Sequence, residues 1–197
     1  MGDAEFTARR THALHRAVGM LMDKVCAPGI EILKDSACES LDTKSVQRLP
    51  LFCAKEKRRS NQFCNVDMLV IQDSRVKVIL EIEESGIKPS KICGKLLTSS
   101  LSRYFIHERY QNRPIPLANR VLFVQVVRNP RKSESKSMKA QWMNLAASLK
   151  QLAPIGTVTD YEFFHGSVPD FKGVKGEELV GLVSSYLESQ PPLEVSN

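Results

Sequence analysis

Three carboxylates interrupt the most apolar stretch of the chain. Residues Cys64–Ile71 and Arg75–Glu83 flank the polar triplet Gln72, Asp73, Ser74. Apolar and β-branched runs on either side of a short polar turn read as two strands of a hairpin. Asp67 falls inside the first run, and Glu81 and Glu83 close the second. Side chains alternate faces along a strand, so Val76, Val78, Leu80 and Ile82 share one face. Arg75, Lys77, Ile79, Glu81 and Glu83 share the other. Two carboxylates on one face, with a third on the adjoining strand, repel when ionised, and burial raises that cost. A hard divalent cation such as Mg²⁺ relieves it, because such ions take oxygen ligands from one or two carboxylates and from substrate phosphates. The simple alternative is a solvated sheet face with the acids paired to Lys77 or Arg75.

An apolar strand carrying Asp67, a turn, and an apolar strand ending Glu81-Ile82-Glu83 before a helix resembles the PD-(D/E)XK nuclease superfamily. Many type II restriction endonucleases belong to it. The resemblance covers the middle third of the chain and departs in two places. Val66 stands where a proline often precedes the aspartate, and Glu83 where lysine is usual; some restriction enzymes of the family carry Glu-x-Glu there. The resemblance implies an α/β fold with a restriction endonuclease-like core, a central mixed β-sheet flanked by helices in the order αβββαβ. It also implies a Mg²⁺-dependent endodeoxyribonuclease, with Mn²⁺ able to substitute, acting on double-stranded DNA as a homodimer. Asp67 and Glu81 would hold the metal, and Glu83 would orient or deprotonate the attacking water. Lys95, or Lys91, would replace the missing motif lysine from the following helix. A further acid often comes from an N-terminal helix; Glu31 is the candidate, with Glu5, Asp23 and Glu39 as alternatives.

The whole chain bounds these expectations. Its 197 residues suit a single domain, with a core over about 8–128 and a C-terminal extension over 137–189. No apolar run approaches the roughly 20 residues of a membrane span, and the N-terminus lacks a signal-peptide pattern, so a cytoplasmic protein is expected. A net charge of +6 suits a polyanionic partner. Five scattered cysteines form no close pair of the kind that holds zinc.

In chain order, Leu14, Val18, Leu21 and Val25 mark a helix from about Thr7 to Cys26. His12 and His15 read as solvated polar positions, because no third ligand lies near them in sequence. Pro28-Gly29 ends that helix, and Ile30–Lys34 reads as a short turn. Leu49–Ala54 is expected to open the first core strand, with Pro50 at its start. Lys57, Arg58 and Arg59 fall in a basic tip that reads either as a solvated loop or as a phosphate-contacting one. A helix is expected from Pro89 or Ser90 to about Arg109, with Cys93, Leu97, Leu101 and Tyr104 inward and Lys91, Lys95, Thr98 and Ser102 opposite. Lys88 and Lys91, at its start, join the candidate DNA contacts. Asn112–Asn119 reads as a loop, Arg120–Val127 as a buried strand, and Met138–Leu152 as a helix with Trp142 inward. Tyr161–Phe164 reads as a strand and Gly176–Ser189 as a last helix. The competing functions are a catalytically inactive DNA-binding or structural protein on the same fold, and a nuclease of DNA repair or junction resolution.

Overall fold

A computed structural model describes residues 12–39, 47–85, 87–129 and 136–189. The expected helix start at Thr7, the alternative acid Glu5 and the tail from Gln190 lie outside them.

The hairpin at the heart of the sequence forms as expected. Strand β4 (Met68–Gln72) pairs antiparallel with β5 (Arg75–Glu83). Its two turn residues, Asp73 and Ser74, both take positive φ, 52° and 58°. Left-handed geometry at both central positions is what a two-residue turn needs to match the twist of its strands. All of β4, and β5 after its first residue, is buried. Such continuous burial requires cover on both faces of the sheet.

The main sheet supplies that arrangement. Strand β1 (Ile30–Lys34) pairs antiparallel with β4. Strand β7 (Ile115–Arg128) lies parallel to β5, and β8 (Val158–Gly166) lies parallel to β7. Helix α1 (Ala13–Met22) precedes β1, and α2 (Pro89–Ser100) connects β5 towards β7. A strand, a covering helix and a parallel strand form a crossover unit. Strands β2 (Leu49–Phe52), β3 (Gln62–Val66) and β6 (Tyr104–Phe105) form an extension that joins β7 through its first residues, Ile115 and Pro116. Three helices follow in sequence: α3 (Lys136–Leu152), the short α4 (Val168–Phe171) and α5 (Val174–Glu188).

Two apolar layers sandwich the sheet. On one side Ile79, Phe123 and Tyr161 pack with Ile92 and Leu96 of α2 and with Trp142, Ala146 and Leu149 of α3. On the other Val78, Leu80, Ile82, Leu122, Val124 and Val126 pack with Leu14, Val18 and Met22 of α1 and Leu179 and Val183 of α5. Gly19 lets α1 approach closely, because a Cβ there would lie 2.0 Å from the Cys38 carbonyl oxygen.

Several expectations change. Ile30–Lys34 is a strand of the main sheet rather than a turn, and supplies the third antiparallel strand assigned from sequence to Leu49–Ala54. Leu49–Phe52 is a strand, but of the extension. Cys64–Ile71 is two strands: β3 pairs with β2, β4 pairs with β1 and β5, and the chain changes partners at Asp67. Helix α2 ends at Ser100, not Arg109, and is turned from the expected orientation. Ile92, Leu96 and Ser99 face inward, while Leu97 and Leu101 are 45% and 58% exposed. The inward stripe at spacings of four and three places Lys95 at its edge, over the sheet, rather than on the solvent side. Strand β7 begins at Ile115, inside the expected loop. The segment beyond 137 is part of the same sandwich, since β8 pairs along β7 for most of its length.

Candidate metal centre

The alternation of β5 decides where its acids go. Val78, Leu80 and Ile82 enter the layer under α1, and Ile79 enters the layer under α2. Glu81 and Glu83 share the parity of Ile79. Both are buried, at 0% and 2% exposure. Asp67 reaches the same place from the junction of β3 and β4. Its Oδ2 accepts a hydrogen bond from the Ile82 N–H at 2.6 Å, and its backbone carbonyl accepts one from the Asp35 N–H at 2.8 Å. The carboxylate is thereby held where the ladder of β4 gives out.

Lys95 of α2 closes the group. Its Nζ lies 2.5 Å from Glu81 Oε2, 3.0 Å from Glu83 Oε1 and 3.7 Å from Asp67 Oδ2. One turn earlier on the same helix, Lys91 pairs with Glu83 Oε2. The structure therefore brings Asp67, Glu81, Glu83, Lys95 and Lys91 together. The paired-surface alternative does not describe these acids, which are buried and matched to α2 rather than to Arg75 or Lys77.

Electrostatics mark the group as costly. Burial pushes the Glu81 carboxyl well above its ordinary value, and the Asp67 charge adds to this against the opposing Lys95. Burial works against the Lys95 ammonium, yet the Glu81 and Asp67 charges outweigh it and hold Lys95 above the usual lysine value. Asp35, beside Asp67, is raised chiefly by burial, partly offset by its hydrogen bond from Ala37. Glu81 Oε1 is buried and accepts no hydrogen bond, and Glu83 Oε1 meets Lys95 without hydrogen-bond geometry. The register partner of Glu81 on β7 is Gln125, whose buried Nε2 also makes no hydrogen bond, while the amide oxygen accepts from the Tyr161 hydroxyl at 3.0 Å. Carboxylates are the donors a hard divalent cation takes, and the oxygens of these three acids converge on Lys95 Nζ, with Glu81 Oε2 and Asp67 Oδ2 already hydrogen-bonded and Glu83 Oε1 not. The donor chemistry of Asp67, Glu81 and Glu83 suits such an ion, which would take the place of the Lys95 ammonium among them.

The other expected residues lie elsewhere. Glu31 pairs in register with Ile71, three positions along β1 from the Lys34–Met68 pair beside Asp67, or roughly 10 Å away. It bonds to Arg109 at 3.0 Å and to the Tyr110 hydroxyl at 2.5 Å, so it does not join the centre. Asp23 pairs with Lys34. Lys57, Arg58 and Arg59 precede β3, whose five residues, roughly 16 Å of extended chain, lie between them and Asp67. Lys57 contacts Glu108 and Asn112 there. Lys88 caps the start of α2, next to the centre.

Helix α1 contributes a histidine rather than an acid. His15, 8% exposed, places Nε2 at 3.8 Å from Asp67 Oδ1, and its Nδ1 lies 3.1 Å from Glu84 Oε2. It is not a solvated polar position. The third group missing in sequence is Glu84, brought to α1 by the fold.

No family model, curated protein or solved structure matches the chain. Among the described residues, no helix is long and apolar enough to cross a membrane.

Proposed function

We propose that the chain is a Mg²⁺-dependent endodeoxyribonuclease with a restriction endonuclease-like core, hydrolysing double-stranded DNA as a type II site-specific enzyme and as a homodimer. The observation that carries this reading is the convergence of Asp67 and the buried Glu81 and Glu83 on Lys95, with Glu81 Oε1 and Glu83 Oε1 left without hydrogen bonds. The element order adds support, since within the main sheet α1, the antiparallel strands β1, β4 and β5, helix α2 and the parallel strand β7 come in the order the PD-(D/E)XK resemblance implies, with β2 and β3 inserted after β1 and β6 after α2.

Asp67 and Glu81 would hold the ion. A bound Mg²⁺ supplies Lewis acidity to the scissile phosphate and lowers the pKa of a coordinated water. Glu83 accepts the proton of the attacking water, and the Lys95 ammonium offsets the charge that develops on the phosphate. Lys88 at the start of α2, with Lys57, Arg58 and Arg59 on the turn before β3, contacts backbone phosphates, which positions the duplex without reading its sequence.

The inert alternative draws on the same ammonium groups, because Lys95 and Lys91 already neutralise much of the acidic charge. Incubation of supercoiled plasmid with the protein and Mg²⁺ or Mn²⁺ decides between them. Cleavage is expected, falling about 10³-fold or more in Asp67→Ala and Glu81→Ala while gel shifts still show DNA binding. Intact plasmid with both metals, together with a gel shift, establishes a DNA-binding protein. Discrete fragments mark a restriction enzyme, and preference for branched DNA a resolving one.

A further inference from the structure

On the opposite face of the sheet from the acidic centre, Glu84 meets the first turn of α1. Its Oε1 accepts a hydrogen bond from the Leu14 N–H, and its Oε2 lies 3.1 Å from His15 Nδ1. His12, one turn earlier and exposed, sets its ring perpendicular to that of His15 with centroids 5.3 Å apart. One ligand atom from each of His12, His15 and Glu84 lies within 4.8 Å of the others. Bonds of about 2.1 Å to a common ion bring donors to within about 4.2 Å of one another.

We propose that His12, His15 and Glu84 form a second cation site, for a borderline divalent metal of the Zn²⁺ or Co²⁺ kind, coupled to Asp67 through the His15 ring. Two imidazoles and one carboxylate are a donor set for such metals, whereas Mg²⁺ takes oxygen ligands. The rest of each ligand is already held. Glu84 is fixed by the Leu14 amide through the oxygen that the ion does not need. His15 presents Nδ1 to the site and Nε2 towards Asp67 Oδ1 at 3.8 Å. A carboxylate behind a ligating histidine sets its tautomer and orientation. Asp67 stands in that position at 3.8 Å, just beyond hydrogen-bond distance, so filling the second site would draw a side chain of the first towards His15. Gly19 lets α1 lie close against the Cys38 carbonyl in the turn after His15. The site stands on its own geometry and does not depend on the nuclease reading.

Titration of the full-length protein with Co²⁺ in the presence of excess Mg²⁺ tests this through the visible ligand-field absorption of the bound ion. One equivalent is expected to develop the band, with affinity falling at least about 100-fold in His12→Ala and Glu84→Gln. In Asp67→Asn the band is expected to persist with affinity about 10-fold lower, the lesser effect of losing an outer partner. His12 is exposed, so its alanine variant leaves the core intact, and circular dichroism of each variant verifies folding. A Co²⁺ spectrum unchanged by His12→Ala, or abolished by Glu81→Gln while His12→Ala retains it, overturns the proposal. Failure to cleave DNA leaves it untouched, because the readout is the ion's own spectrum.

Discussion

The two ends of strand β5 each gather acids and bases, with opposite outcomes. At its N-terminal end Glu31 and Tyr110 line a cleft with Asp73, Arg75 and Arg113, and Glu31 also pairs with Arg109. The Glu31 and Arg109 side chains are 39% and 54% exposed, and each Glu31 oxygen has a partner. At its C-terminal end Glu81 and Glu83 are enclosed under α2, and carboxylate oxygens remain without hydrogen bonds. An exposed ion pair costs little to make and contributes little. Enclosed carboxylates are expensive, and persist only where something compensates them. The contrast shows that charge alone did not mark the site; burial with unfilled acceptor capacity did.

Removing Lys95 sharpens the contrast most. Lys95→Met leaves Glu81 and Asp67 without their shared ammonium, and a loss of about 3–5 kcal/mol in unfolding free energy is expected. Added Mg²⁺ or Mn²⁺ is expected to restore much of it, raising the melting temperature of the variant more than that of the parent. A variant as stable as the parent without metal breaks the comparison.

A smaller effect is expected from acid. The His15 hydrogen bond and the Leu14 amide hold the Glu84 carboxyl below its ordinary value of 4.5, against the opposing effect of burial. A carboxyl lowered in the folded state adds stability above its unfolded pKa and loses it as pH falls through the folded one. The parent's melting temperature is therefore expected to drop over that range by more than that of Glu84→Gln. Parallel curves for the two proteins would remove Glu84 from the set of strongly coupled groups.

The smallest effect belongs to the exposed end. Glu31→Gln is expected to change stability by under about 1 kcal/mol, with plasmid cleavage unaltered. A large loss of cleavage in this variant would return Glu31 to the metal centre.

Much of the centre was legible in the sequence because strand alternation is a local rule. It placed Glu81 and Glu83 on one face, and the spacing of α2 then made Lys95 available to them. The partner change at Asp67 was not legible, because an apolar run looks the same whether it crosses one pairing or two. Ile30–Lys34 lacked length and alternation, so its place in the sheet follows from pairing with β4, a long-range event. The orientation of α2 was not legible, because Cys93, Leu97 and Leu101 make as regular an apolar stripe as Ile92 and Leu96, and the helix ends at Ser100, before that first stripe reaches Tyr104. Glu84 carried an unused signal. It shares the parity of Val78, Leu80 and Ile82, so an acid there enters the layer under α1 and needs a partner on that helix. His15 is that partner, although the sequence around it offered no third ligand.

Binding of Mn²⁺, read from the loss of the free-ion electron paramagnetic resonance signal, tests the acidic centre most directly. It is best measured in a His12→Ala background, which removes the second site from consideration. One equivalent is expected to bind, and Glu81→Gln added to that background is expected to abolish the binding. An identical free-ion signal with Glu81 and with Gln at that position would contradict the assignment of Asp67, Glu81 and Glu83 as the ligands of a divalent cation.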